Sequence, residues 1–269
     1  MQKHPTVTRT LTALVMLTVL AVSFSAGRIT RALFLVVLAW LAAGEMANAL
    51  CRMGLHVTPW AARIESVLLM TLMFFRGTAV SLFSVLTLLV IGTLTVGLFK
   101  QKSFRDLAGT VFVCIYPTLF LLCIAYICIQ SNSVWMPILL TALCSASLCD
   151  IAAYFIGRYF GKHKLCPSIS PKKTVEGAVA GVVFGTLAAF LPWLCLRTFV
   201  EVPLYVYFLA SFCCSVTGQL GDLCASRIKR EAGIKDFSNI LPGHGGILDR
   251  VDSYCFAFPT AIALFAFLL

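Results

Sequence analysis

Long apolar runs separated by short polar breaks dominate this chain, and the runs have the length of membrane-crossing helices. A bilayer is spanned by roughly 20 apolar helical residues. Runs near that length fall at about 10–27, 32–50, 64–75, 78–99, 107–129, 135–156, 175–197, 203–225 and 251–269. The pattern predicts an all-α polytopic membrane protein of about nine transmembrane helices. Eight is the alternative, because the run Ile64–Phe75 is short and stops at Arg76-Gly77, as a re-entrant or mismatched segment would. The first run follows MQKHPTVTRT and resembles a signal peptide, but its length and the many spans after it favour a first membrane helix. Two polar stretches, 157–174 and 226–250, interrupt the second half. Two spans separate them, so they are expected on one face of the membrane. The chain therefore divides into 1–134, about five plain apolar spans with Glu45 as a lone mid-span acid, and 135–269, which carries both polar loops and a polar cavity on their side. There is no internal repeat, low-complexity tract or linker, which weighs against an inverted-repeat transporter.

Composition reinforces the membrane reading. Hydrophobic residues make up 60% of the chain and charged residues 12%, with a mean hydropathy of +0.95. A soluble domain has roughly 25% charged residues. The net charge of +10 would suggest a nucleic-acid partner in a soluble protein. Here it is explained by Lys and Arg marking cytoplasmic loops, and no nucleic acid is expected. Seventeen of the 21 Lys and Arg lie on the side of the N-terminus and of both polar stretches, and four on the other (Arg28, Arg31, Arg76 and Arg197). That bias places the N-terminus and both loops in the cytoplasm. Ten of the twelve cysteines sit in apolar runs and no C-x-x-C pair occurs, so they read as small buried thiols. His163 and Cys166 form an isolated H-x-x-C without the complementary pair that zinc would need.

The polar stretches carry the candidate chemistry. The first runs from Asp150-Ile-Ala-Ala-Tyr154 through Gly157-Arg158 and Gly161-Lys162 to Ser170-Pro-Lys-Lys-Thr174-Val-Glu176-Gly177. An acid such as Asp150 inside an apolar span is expensive unless paired or metal-bound. It is either functional or paired with Arg158, two turns along the same helix. The glycine spacing is not that of a Walker loop. Thr174 is a plausible N-cap with Gly177 at its third residue, and a helix start beside Lys172 and Lys173 suits a phosphate. Both lysines also fit as topology anchors.

The second stretch reads SRIKREAGIKDFSNILPGHGGILDRVD over 226–252, preceded by Gln219-Leu-Gly221-Asp222. Gly221 allows close approach of another backbone. Asp249 and Asp252 are three apart and share a helix face. Asp222 and Asp249, on helices joined by one loop, are expected to converge as Mg²⁺ ligands, since Mg²⁺ is usually held by one or two protein carboxylates with substrate phosphates and water. The alternative for each acid is an ordinary pair with one of the many nearby cations. His244, between Gly243 and Gly245, is a base, a phosphate donor or a turn residue.

These residues resemble a known signature. Ser226-x-Ile-Lys229-Arg230, Lys235-Asp236-x-Ser238 and Leu241-Pro242-x-His244-Gly245-Gly246-x-x-Asp249-Arg250-x-Asp252 match that of the phosphatidate cytidylyltransferases (CDP-diacylglycerol synthases) at every fixed position. The segments around Asp150 to Gly177 and Gln219 to Asp222 also look like that family, so the resemblance is dense over 150–252. Before 135 it rests only on apolar spans. The resemblance implies an inner-membrane, multi-pass enzyme joining phosphatidate and CTP into CDP-diacylglycerol and pyrophosphate. It further implies a homodimer of nine-helix protomers dependent on a divalent cation, Mg²⁺, with a second monovalent or divalent cation left open. The expected catalytic residues are Asp222, Asp249, Lys229, Arg230 and His244, with Asp222 and Asp249 holding the metal. Lys172, Lys173, Ser226, Lys235, Asp236, Arg250 and Asp150 are expected to bind substrate. Rival readings are a prenol-type lipid cytidylyltransferase, a CTP-dependent lipid kinase and, more remotely, a transporter.

Overall fold

The computed structural model of the chain describes residues 5–57, 59–76, 87, 90–95, 97, 99, 103–129 and 134–269. It separates into two compact units, Met1–Ile129 with Glu231–Arg250, and Gln130–Arg230 with Val251–Leu269.

In the first unit, helices α1 (Pro5–Ser25), α2 (Arg28–Arg52) and α3 (Pro59–Arg76) precede a broken helix made of α4 (Phe104–Val113), a kinked segment (Cys114–Leu119) with Tyr116 in a non-helical conformation before Pro117, and α5 (Phe120–Ile129). The central element is α2. Its inner face presents Leu35, Ala39, Ala42, Ala43, Met46 and Leu50, all buried. Small residues on that face let neighbouring helices approach closely. Ser103 caps α4, its side chain accepting from Asp106 N. Asp106 in turn accepts from His56 N at 2.7 Å, tying the loop after α2 to the start of α4.

In the second unit, α6 (Trp135–Phe160) leads into an antiparallel hairpin of β1 (Lys164–Cys166) and β2 (Ser170–Thr174). Helices α7 (Val175–Leu187), α8 (Phe190–Leu196), α9 (Leu204–Glu231) and α10 (Leu248–Leu268) follow. As the spacing predicts, Thr174 caps α7, its hydroxyl accepting from Gly177 N at 3.2 Å. Gly177, Gly181 and Gly185 form a stripe on α7 that lies against the backbone of α6. A Cβ at these positions would sit 2.6 Å from Ala153 O, 2.9 Å from Cys149 O and 2.9 Å from Ser145 O respectively. This is the small-residue packing by which helices associate in lipid, where no hydrophobic drive distinguishes helix from solvent.

Six helices among the described residues are long and apolar enough to cross a membrane: Arg28–Arg52, Phe104–Cys128, Trp135–Phe160, Val175–Leu196, Leu204–Glu231 and Leu248–Leu268. The protein is thus an all-α, multi-pass membrane protein with one small hairpin. Of the remaining expected spans, 10–27 is a shorter apolar helix, 64–75 lies within the continuous α3, and 78–99 falls mostly outside the described residues.

The structure corrects the ends of the polar loops. Helix α6 runs to Phe160, and α9 runs six residues past its apolar stretch to Glu231, so Ser226, Lys229 and Arg230 are helical. An apolar run marks where a helix leaves the hydrocarbon, not where it stops. Lys229 and Arg230 in the last turn complement the helix dipole. The chain then turns at Gly233, whose φ of 67° favours glycine. The first loop is likewise partly ordered, as the β1–β2 hairpin.

Replacing Gly181 by Val should drive a side chain into Cys149 O and Gln219 Nε2, neighbours at 2.9 and 3.0 Å from even a Cβ. The expected cost is about 2 kcal/mol, read as a lowered midpoint of thermal unfolding in detergent. An unchanged midpoint would mean that α6 and α7 do not pack this closely.

Candidate functional site

In the second unit four elements bring polar side chains together. Lys173, on β2, reaches Asp222 on α9, with Nζ 2.6 Å from Oδ2. The other oxygen of Asp222 accepts from Ser226 Oγ, one turn on, at 3.3 Å. Asp150 on α6 accepts from Ser253 Oγ on α10 at 3.2 Å. Asp252 on α10 is buried, accepts from Ser253 N, and lies within coulombic range of Asp222, Lys229 and Asp150. Lys229 and Ser226 are buried too.

Glycine makes the approach possible. At Gly221 a Cβ would sit 2.6 Å from Asp252 O, so α9 and α10 meet there nearly backbone to backbone. Gln219 pins the same stretch of α9 by donating to Ala178 O of α7 at 2.9 Å. Arg230 Nε donates to Ile169 O in the hairpin turn at 3.2 Å. The hairpin and the C-terminal end of α9 therefore lie at one end of this unit, as expected of two polar stretches separated by two spans.

Lys172 and Lys173 part company. Lys173 is half-buried in its ion pair. Lys172 is exposed and belongs to neither of the two ion pairs among the described residues. The other pair is His163 with Glu176, whose carboxylate also accepts from the amides of Lys162 and His163. His163 thus organises the hairpin entry, and the H-x-x-C has this structural use. Arg158 donates to the Tyr154 hydroxyl rather than pairing with Asp150.

In the first unit the loop before α10 is built around acids. Asp249 Oδ2 accepts from Phe237 N at 2.8 Å and from Gly246 N at 2.9 Å. The turn Leu241–Gly245 closes through Leu241 N to Gly245 O and His244 N to Leu241 O, with Gly243 and Gly245 at φ of 78° and 83°. His244 is therefore a turn residue by its backbone, and its buried Nδ1 has no hydrogen-bond partner among the described residues. Lys235, Asp236 and Arg250 are exposed.

Two participants carry no signal of their role in the sequence. Ser253 lies beside Asp252 and has no motif of its own. Glu45 is a lone acid in its apolar run, and its partners lie about two hundred residues away.

Residues 7–268 match the model of the cytidylyltransferase family. The chain belongs to the cytidylyltransferase family. The phosphatidate cytidylyltransferase of Staphylococcus saprophyticus is 34% identical over 259 residues, covering 93% of this chain and 95% of that relative. The Bacillus subtilis enzyme of the same name is 47% identical over 119 residues, 44% of this chain and 43% of the relative. That of Aquifex aeolicus is 39% identical over 163 residues, 60% and 58%.

The two lysines offer a direct test of this geometry. Lys173→Gln leaves Asp222 without its partner and should lower thermal stability, with Asp222→Asn removing most of that penalty. A coupling of about 1 kcal/mol is expected for a half-exposed pair. Lys172→Gln should be neutral. Equal effects at the two positions, or additive effects of Lys173→Gln and Asp222→Asn, would contradict the pairing.

Proposed function

We propose that this membrane protein converts phosphatidate and CTP to CDP-diacylglycerol and pyrophosphate. The observation that carries the reading is the Asp222–Lys173–Ser226 cluster, with Asp150, Asp252 and Lys229 beside it, in a chain that aligns with phosphatidate cytidylyltransferases over nearly its whole length.

The chemistry suits these groups. An oxygen of the lipid phosphate monoester attacks the α-phosphorus of CTP. A new P–O bond forms, the bond from the α-phosphorus to the oxygen bridging to the β-phosphate breaks, and pyrophosphate leaves with that electron pair. The nucleophile is already anionic, so no strong base is needed. The barrier is bringing two anions together, and preorganised cations lower it. In this reading Lys173 and Lys229 neutralise phosphate charge, Ser226 donates to a phosphate oxygen, and Arg230 supports the hairpin. Lys172, Lys235 and Arg250, being exposed, attract the nucleotide.

The donor set fits Mg²⁺. Asp222, Asp150, Asp252, Ser226 and Ser253 offer only hard oxygen atoms, and among the described residues no group of three or more His, Cys, Asp or Glu is placed to hold a metal ion by itself. A hard cation held by few protein carboxylates relies on substrate phosphates and water for its other ligands. Asp222 is the proposed ligand in the second unit. The sequence resemblance adds Asp249, although its Oδ2 already receives two amides. When bound, Mg²⁺ supplies charge neutralisation at the phosphates. The proposal also includes a cytoplasmic N-terminus and loops, a location in the cell's inner (plasma) membrane and a homodimeric assembly.

Purified protein in phosphatidate-containing micelles should release pyrophosphate from CTP only when phosphatidate and Mg²⁺ are both present. Asp222→Asn and Asp249→Asn should fold and lose a hundredfold or more in turnover, roughly the value of a transition-state charge interaction. Near-normal activity of either at ordinary Mg²⁺ removes that residue from the metal site. Lys173→Gln should lose about a hundredfold in kcat/KM, against less than about fivefold for Lys172→Gln. Wild-type kinetics with Gln at 173 would return both lysines to a topological role.

A further inference from the structure

We propose that Glu45, on a helix remote in sequence from every motif residue, is a positioning residue that clamps the polar loop before α10. The inference rests on the proposed reading in one respect, that this loop serves the reaction through Asp249.

Glu45 lies in the C-terminal third of α2, about two turns before its end at Arg52, and is buried. An acid there is costly unless fully satisfied. Its Oε1 accepts from Ser238 Oγ at 2.6 Å and Ile247 N at 3.0 Å, and its Oε2 from Leu248 N at 2.8 Å. Two of these donors are backbone amides at the start of α10, which a helix leaves without internal partners. Glu45 is therefore an N-terminal cap supplied from another helix, and its charge complements the positive end of the helix dipole.

The contact is close-packed. A Cβ at Gly246 would lie 2.7 Å from both carboxylate oxygens of Glu45. Gly246 has no positive φ to require glycine. The carboxylate is what demands glycine there. Gly246 N donates instead to Asp249 Oδ2, as does Phe237 N. The two acids thus interlock through one loop: Glu45 takes the amides of 247 and 248, and Asp249 those of 237 and 246. Thr12 Oγ1 of α1 adds a third tie, donating to Pro242 O at 3.0 Å. The apolar helices, which share no motif with the family signature, hold the loop that bears it.

A double-mutant cycle tests this. Gly246→Ala should lower kcat about tenfold or more in the otherwise native chain, and less than about twofold in the Glu45→Ala background, because the obstacle has gone. KM for phosphatidate should stay near native, which a general loss of structure would not allow. Glu45→Gln, which keeps an acceptor oxygen, should fall between. Hydrogen exchange of the metal-free protein supplies a readout apart from turnover: Glu45→Ala and Gly246→Ala should each speed exchange over 237–248 and leave peptides from 204–225 unchanged. Additive effects of the two substitutions, or unchanged exchange over 237–248, would overturn the clamp. Should Asp249→Asn prove active while Glu45→Ala still speeds exchange, the clamp stands and the metal role of Asp249 falls.

Discussion

A carboxylate on a membrane-spanning helix must find its partners within the protein, because lipid offers none. That constraint organises this molecule. Asp222 is held by Lys173 and Ser226, Asp150 by Ser253, and Glu45 by one hydroxyl and two amides. Each acid draws a different segment to its helix. The hairpin comes to α9 through Lys173 and Arg230, and the loop before α10 comes to α2 through Ser238 and Ile247. Glycines at 221 and 246 let these approaches reach hydrogen-bonding distance. The polar groups therefore serve the fold, and in the proposed function the same groups meet the substrate phosphates.

In the proposed function, the same arrangement lets a nucleotide reaction proceed at the edge of an apolar bundle. Substrate phosphates bring several negative charges to a place that tolerates them poorly. Lys173 and Lys229 stand among three aspartates in the second unit, so the site is mixed in sign rather than simply basic. In the proposed function such a site takes phosphate on its lysines and a hard cation on its carboxylates, each charge meeting one of opposite sign. Fixed charges of this kind need no reorganisation during the reaction, which is the source of their catalytic value.

Local features were legible in the sequence. The cap at Thr174 and the close approach at Gly221 both followed from spacing and residue type, and both are present. The family could be read from the motif alone, and the match over 7–268 bears it out. Helix ends were less legible, because α9 continues through polar residues once outside the apolar stretch. The shared face of Asp249 and Asp252 was correct as helical geometry yet said little about partners: Asp249 turns to loop amides, and Asp252 lies near Lys229 and two other aspartates. Long-range pairings were not legible at all. Nothing near Glu45 announces Ser238, and nothing near Lys173 distinguishes it from Lys172, because the difference is made by which one the hairpin register turns toward α9.

Fate of the nucleotide's phosphates tests the central claim most directly. Purified protein is supplied with phosphatidate, Mg²⁺ and CTP labelled at either the α- or the γ-phosphate, and the lipid phase is extracted. The account predicts that the α-label enters the lipid and the γ-label leaves as pyrophosphate, with neither reaching lipid when phosphatidate is omitted. Transfer of the γ-label to lipid would identify a kinase and contradict it.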